Sequence, residues 1–175
     1  MELSFDTVDH GNGFDFGRAA ADYAKYRDIY PASLYRKLEE TGAVRAGLRV
    51  LDAGTGTGVL PRAMYGTGAR FTGIDLSPEQ IEAARALSAG KAIEYRVSPA
   101  ESTPFPARSF DTVTACQCIR YFDPERFSAE LARIMVPGGL LAVVHMNWLP
   151  HEDPVARMSE ELIIDFASPT LAGIK

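Results

Sequence analysis

Val50-Leu51-Asp52-Ala53-Gly54-Thr55-Gly56-Thr57-Gly58 is the stretch whose reading decides the fold. Its first half is apolar and suits a buried strand. Its second half carries three glycines spaced two apart. Glycine enters positive φ without a Cβ clash, so such a loop turns sharply and lets a ligand approach bare backbone. Val59, Leu60, Ala63 and Met64 then give a helical pattern whose N-terminus points back at whatever the loop holds. Strand, glycine turn and helix start together predict a nucleotide-type pocket. The dinucleotide fingerprint G-x-G-x-x-G/A requires Gly or Ala at position 59, and Val59 stands there.

Outward from this stretch, strand and helix patterns alternate. Arg70 to Leu76 reads as a second strand with Asp75 near its end, where a carboxylate suits a pair of ribose hydroxyls. Ser77 as N-cap, Pro78 at the first helical position and Gln80 at the third start a helix with Ile81, Ala84 and Leu87 as its buried stripe. Ile93 to Val97 is a third strand and Phe110 to Cys118 a fourth. Asp123 and Pro124 start a helix with Phe127, Leu131, Ile134 and Met135 on one face, which Pro137-Gly138-Gly139 stops. Leu140 to Val144 is a continuous apolar run, expected of a parallel strand buried on both faces. Pro154 opens a last helix with Val155, Met158, Leu162 and Phe166 on one side.

Two helices precede the glycine stretch. One follows Gly17, and Pro31 opens the other, with Leu34 and Leu38 four apart and Gly42 as its stop. Residues 1–16 read as a flexible arm, leaving 17–175 as one domain. Right-handed crossovers turn this alternation into a Rossmann-like, doubly wound α/β sheet of five parallel strands in the order 3-2-1-4-5. Parallel strands bring their carboxyl ends to one edge. Gly54, Asp75, Glu101, Gln117 and His145 sit at or just beyond those ends.

The 175 residues carry a net charge of −5 with no basic run, which disfavours nucleic acid and anionic membranes as partners. No apolar stretch is long enough to span a bilayer. The acidic N-terminus MELSFDTVDH has no secretory core, so a cytoplasmic protein is expected. Cys116 and Cys118 would project from the same face of one strand, which suits free thiols better than a disulfide. No metal-ligand spacing and no Ser-His-Asp set appears.

Four segments, AADYAKYRDIYP, VLDAGTGTG, AESTPFPARSFDTVTACQCIRYFD and ARIMVPGGLLAV, resemble the class I S-adenosylmethionine (SAM) methyltransferases. The resemblance runs from Gly17 to about Met146 and is best with the subset like trans-aconitate methyltransferases. It implies methyl transfer from SAM, yielding S-adenosylhomocysteine, to a small-molecule acceptor by in-line displacement. In its terms Asp52, Gly54, Thr55, Gly56 and Gly58 cradle the cofactor, and Asp75 takes the ribose with Leu76 on the adenine. Ala100 and Glu101 meet the adenine edge, Gln117 lines the transfer cleft, and Tyr23 and Arg27 belong to a lid.

The resembling subset carries His-Trp-Phe-Asp where this chain has Arg120-Tyr121-Phe122-Asp123, so a base candidate is replaced by a fixed cation. His145, Arg120 and Tyr121 are the residues left for a catalytic part. His151 sits in a polar link. The family's C-terminal antiparallel hairpin finds no counterpart after Pro150, which leaves strand five as an edge; pairing of two copies, a homodimer, is one way to cover it. A non-catalytic or truncated SAM-binding module is the second reading, and a nicotinamide-dependent oxidoreductase, disfavoured by Val59, the third.

Overall fold

The computed structural model describes residues 25, 30–147 and 149–171. The expected arm, the first helix, Tyr23, Arg27 and Trp148 lie outside the described residues. Helix α1 spans Ala32–Glu40, β1 Arg49–Ala53, α2 Val59–Ala63, β2 Arg70–Asp75, α3 Pro78–Leu87 and β3 Glu94–Val97. Then come β4 Phe110–Cys116, α4 Pro124–Ile134, β5 Met135–Val144 and α5 Pro154–Leu171. Short 3-10 turns occupy Tyr65–Thr67 and Ile119–Tyr121. Two units are distinguished, one ending at Val144 and the other beginning at His145.

All five strands are parallel, in the order β3-β2-β1-β4-β5, as the alternation predicts. Central β1 alternates its side chains between two faces. Leu51 and Ala53 join Ile74, Val113, Phe127 and Ile134 in one core. Val50 joins Leu38, Leu60, Met64 and Phe71 in the other. The two N-caps read from the sequence, Ser77 and Asp123, are built as expected. Ser77 Oγ accepts the Gln80 N–H, and the Asp123 carboxylate accepts those of Glu125 and Arg126.

Several local expectations are corrected. Strand β4 stops at Cys116, because Gln117 turns into the left-handed region at φ 61°; Cys116 and Cys118 therefore do not continue one strand. Met135 leaves the helical face and starts β5. Pro137-Gly138-Gly139 forms an irregularity inside that strand, where the register jumps from Met135 opposite Phe110 to Leu140 opposite Thr112. Strand β5 is also not buried on both faces. Leu140, Leu141 and Val143 are exposed, because among the described residues β5 is an outer strand paired only with β4. In α5, likewise, Val155, Met158 and Leu162 of the expected apolar side are exposed. No strand follows β5 among the described residues.

Candidate active site

The first turn leaves β1 at its carboxyl end. Gly54, Gly56 and Gly58 all take positive φ there, at 67°, 53° and 76°. At Gly56 a Cβ would find nothing closer than 3.8 Å, so the bare backbone borders open space. At Gly54 a Cβ would lie 2.8 Å from both Cβ and Sγ of Cys118. One glycine leaves room for a ligand, and the other leaves room for the segment after β4.

Two carboxylates fix the turn. Asp75, at the tip of β2, accepts the Gly56 N–H at 2.9 Å and the Ser77 N–H at 3.0 Å. Its side chain therefore sits beside the turn, within reach of one adenosine-sized guest. Asp52 is almost wholly enclosed. It accepts the Thr55 hydroxyl at 2.7 Å and the Thr114 hydroxyl at 2.6 Å. Burial pushes its carboxyl up to about 6; the two hydroxyls lower it, and nearby Asp75 raises it further. Asp52 thus ties the turn to β4 from beneath, and it does so without being exposed to a ligand.

The remaining expected contacts are distributed along the same edge. Leu76 is 69% exposed, an open apolar face next to Asp75. Ala100 is buried, and Glu101 accepts the Asp123 N–H at 3.0 Å. Gln117 holds its positive φ where β4 ends, beside the turn, and its N–H reaches the Val144 carbonyl. A non-glycine residue held in that conformation stores strain, and such residues cluster at functional sites. Arg120 and Tyr121 are exposed on the 3-10 turn that follows. His145 is the first residue of the second unit.

Tyr95 and Thr114 escaped the sequence reading, and Cys118 and Tyr30 take places in the packing. Tyr95 lies beneath Gly58 and Gly73: its ring stands 2.7 Å from where a Gly73 Cβ would be, and its hydroxyl meets Ser88 Oγ at 2.9 Å. Thr114 was signalled only by being polar between Val113 and Ala115. The Cys118 thiol donates to the Ala53 carbonyl at 3.1 Å and is pushed up to about 12 by burial, so it is neutral and packs. Tyr30 packs on the cluster containing Cys116, and burial raises its phenol. Among the described residues no group of three or more His, Cys, Asp or Glu could hold a metal.

A parallel sheet of this order, with a glycine turn and an acid on the adjacent strand tip, defines a Rossmann-like, doubly wound fold whose ligand edge lies at the carboxyl ends of its strands. Residues 51–143 match the methyltransferase domain family, and the chain belongs to that family. The ubiquinone biosynthesis O-methyltransferase of Xanthomonas euvesicatoria pv. vesicatoria is 37% identical over 122 residues, covering 67% of this chain and 51% of that protein. The demethylmenaquinone methyltransferase of Tropheryma whipplei is 39% identical over 106 residues, covering 59% and 44%. A SAM-dependent methyltransferase from Aquifex aeolicus superposes with a TM-score of 0.62 at 23% identity, covering 88% of each chain, and so shares the fold. The chain spans about half the length of the curated relatives it matches. The resemblance to the trans-aconitate-like subset is not confirmed by them. Among the described residues no helix is long and apolar enough to cross a membrane.

Proposed function

We propose that this chain transfers a methyl group from SAM to a small-molecule acceptor of the quinone-precursor type, a ring with a nucleophilic oxygen or carbon. The observation that carries the cofactor half is the Asp75 carboxylate beside the open backbone of Gly56. Each Asp75 oxygen already accepts one backbone N–H and keeps a second lone pair for a ribose hydroxyl. Leu76 offers the adenine an apolar face, and Ala100 and Glu101 its edge. Asp52, Gly54, Thr55, Gly56 and Gly58 shape the methionine side, with Asp52 acting as a buried negative charge and not as a direct ligand.

When bound, SAM supplies an electrophilic methyl on a sulfonium. The protein's part is to align the acceptor and keep water out, an effect that can be large. The strained Gln117 and the turn bearing Arg120 and Tyr121 support an acceptor-facing role for residues 117–121. Arg120 offers a cation to an acidic or enolic oxygen of the acceptor. Tyr23 and Arg27 complete this reading as the lid. The free thiols of Cys116 and Cys118 support a cytoplasmic enzyme, since reduced cysteines suit a reducing compartment.

The test is a calorimetric titration with SAM and S-adenosylhomocysteine, followed by transfer of a labelled methyl to a panel of hydroxylated benzoquinols and naphthoquinols. Saturable binding of both ligands with label on a quinol supports the reading. Binding without transfer to any acceptor favours the binding-module alternative, and NADH binding without SAM binding would reverse the cofactor assignment.

A further inference from the structure

The connection from β3 to β4, residues 98–109, is irregular, and part of it turns its side chains into the interior. Ser98, Ala100, Thr103 and Phe105 are all buried. A buried segment without a ladder must find partners for its peptide groups elsewhere. The Ser98 N–H takes the Asp75 carbonyl at 2.9 Å. Beyond that, side chains of α4 do the work. Glu130 Oε1 accepts both the backbone N–H and the hydroxyl of Thr103, at 2.7 and 2.5 Å. Arg133 donates to the Phe105 carbonyl at 2.7 Å and the Thr103 carbonyl at 3.1 Å. Its Nε and Nη2 also grip Glu130 through both carboxylate oxygens, at 2.8 and 2.6 Å.

One ion pair, its Glu130 end buried and its Arg133 end reaching the surface, thus supplies what a neighbouring strand would. The Arg133 guanidinium and the Thr103 donors hold the Glu130 carboxyl down to about 2, so the pair stays charged at any ordinary pH. Two residues before Thr103, Glu101 takes the N–H of the α4 cap residue Asp123. Ala100 and Glu101 are therefore suspended between Ser98, fixed to β2, and Thr103, fixed to α4.

We propose that Glu130 and Arg133 are positioning residues that set the base preference of the cofactor site by fixing the 98–105 segment. This rests on the reading that Ala100 and Glu101 face the adenine edge. Adenine presents an amine donor beside a ring-nitrogen acceptor. Hypoxanthine, its deaminated form, presents a carbonyl acceptor beside a ring N–H donor. A backbone N–H and a carboxylate held at fixed places accept the first pattern and reject the second, because the wrong base leaves buried groups unpaired. The same groups on a loosened segment swing to meet either pattern.

The experiment compares S-adenosylhomocysteine with S-inosylhomocysteine by calorimetric titration of the full chain. The proteins are the wild type, Glu130→Gln, Thr103→Val and Thr103→Ser. The wild type is expected to favour the adenine form by about 10- to 100-fold, the range set by one or two unpaired buried groups. In Glu130→Gln that ratio should fall by roughly fivefold or more, and in Thr103→Val by about threefold. Thr103→Ser, which keeps the hydroxyl donor, should retain the wild-type ratio. Should Glu130→Gln not fold, the Val and Ser variants at 103 carry the comparison alone. Equal losses for both ligands, or an unchanged ratio in folded variants, would overturn the proposal and leave the cofactor reading standing. A wild type that binds neither ligand, or both equally, would overturn the adenine-edge reading and the proposal with it.

Discussion

The Gly56 N–H and the Asp75 carboxylate meet at 2.9 Å, joining the middle glycine of the first turn to the tip of the neighbouring strand. The contact orients the acid and the turn together. Replacing Asp75 with Ala removes both the ribose acceptor and the clamp on the turn. SAM affinity should fall about 10- to 100-fold, as read by calorimetry. Asp75→Asn keeps an oxygen for Gly56 and should lose less. Equal affinities for wild type and Asp75→Ala would remove the ribose assignment.

Asp52 makes stability and affinity respond to pH in opposite senses. Its folded carboxyl titrates near 6, above the ordinary 3.8, so the fold binds the proton more tightly than the unfolded chain does. Stability from this group is therefore fully present below about pH 4 and is lost as pH rises to about 6. SAM is a cation, and the ionised Asp52 attracts it, so affinity should rise over that upper range. Asp52→Asn should flatten both profiles. Thermal melts and SAM titrations between pH 5 and 8 check the two arms separately.

Gly73 is a strand residue with no positive φ, and its lack of a side chain serves its neighbours. A Cβ there would stand 2.7 Å from the Tyr95 ring and 2.8 Å from Thr55 Oγ1. Gly73→Ala should cost about 1–3 kcal/mol by overpacking. Adding Tyr95→Leu should recover part of the loss, because one of the two obstacles is then smaller. Chemical denaturation of the single and double variants measures the coupling; strictly additive losses would show that the ring is not the obstacle.

The outer strand β5 carries exposed Leu140, Leu141 and Val143 with no charge to blunt the edge. Such edges pair with other strands. The chain should self-associate with rising concentration, and Val143→Lys should reduce that association in light scattering. A monomer at all concentrations would remove the expected homodimer.

How much of this was legible in the chain depends on distance along it. The glycine stretch, the strand order and the caps at Ser77 and Asp123 were readable, because turn chemistry and apolar period act over a few residues. The end of β4 was not. Nothing local in Ala115-Cys116-Gln117-Cys118 forbids continuing the strand, and the turn at Gln117 goes with the thiol of Cys118 lying against Gly54. The exposure of β5 was also hidden, since an apolar run reads alike at the centre and the edge of a sheet.

The sequence by itself therefore determined a parallel sheet with a glycine turn at its carboxyl edge and an acid on the adjacent strand. Only the tertiary structure decided what those residues touch. Thr114 reaches Asp52 across 62 positions and Thr103 reaches Glu130 across 27. Local preference cannot encode a partner that far away, because each such bond depends on strands and helices already packed in place.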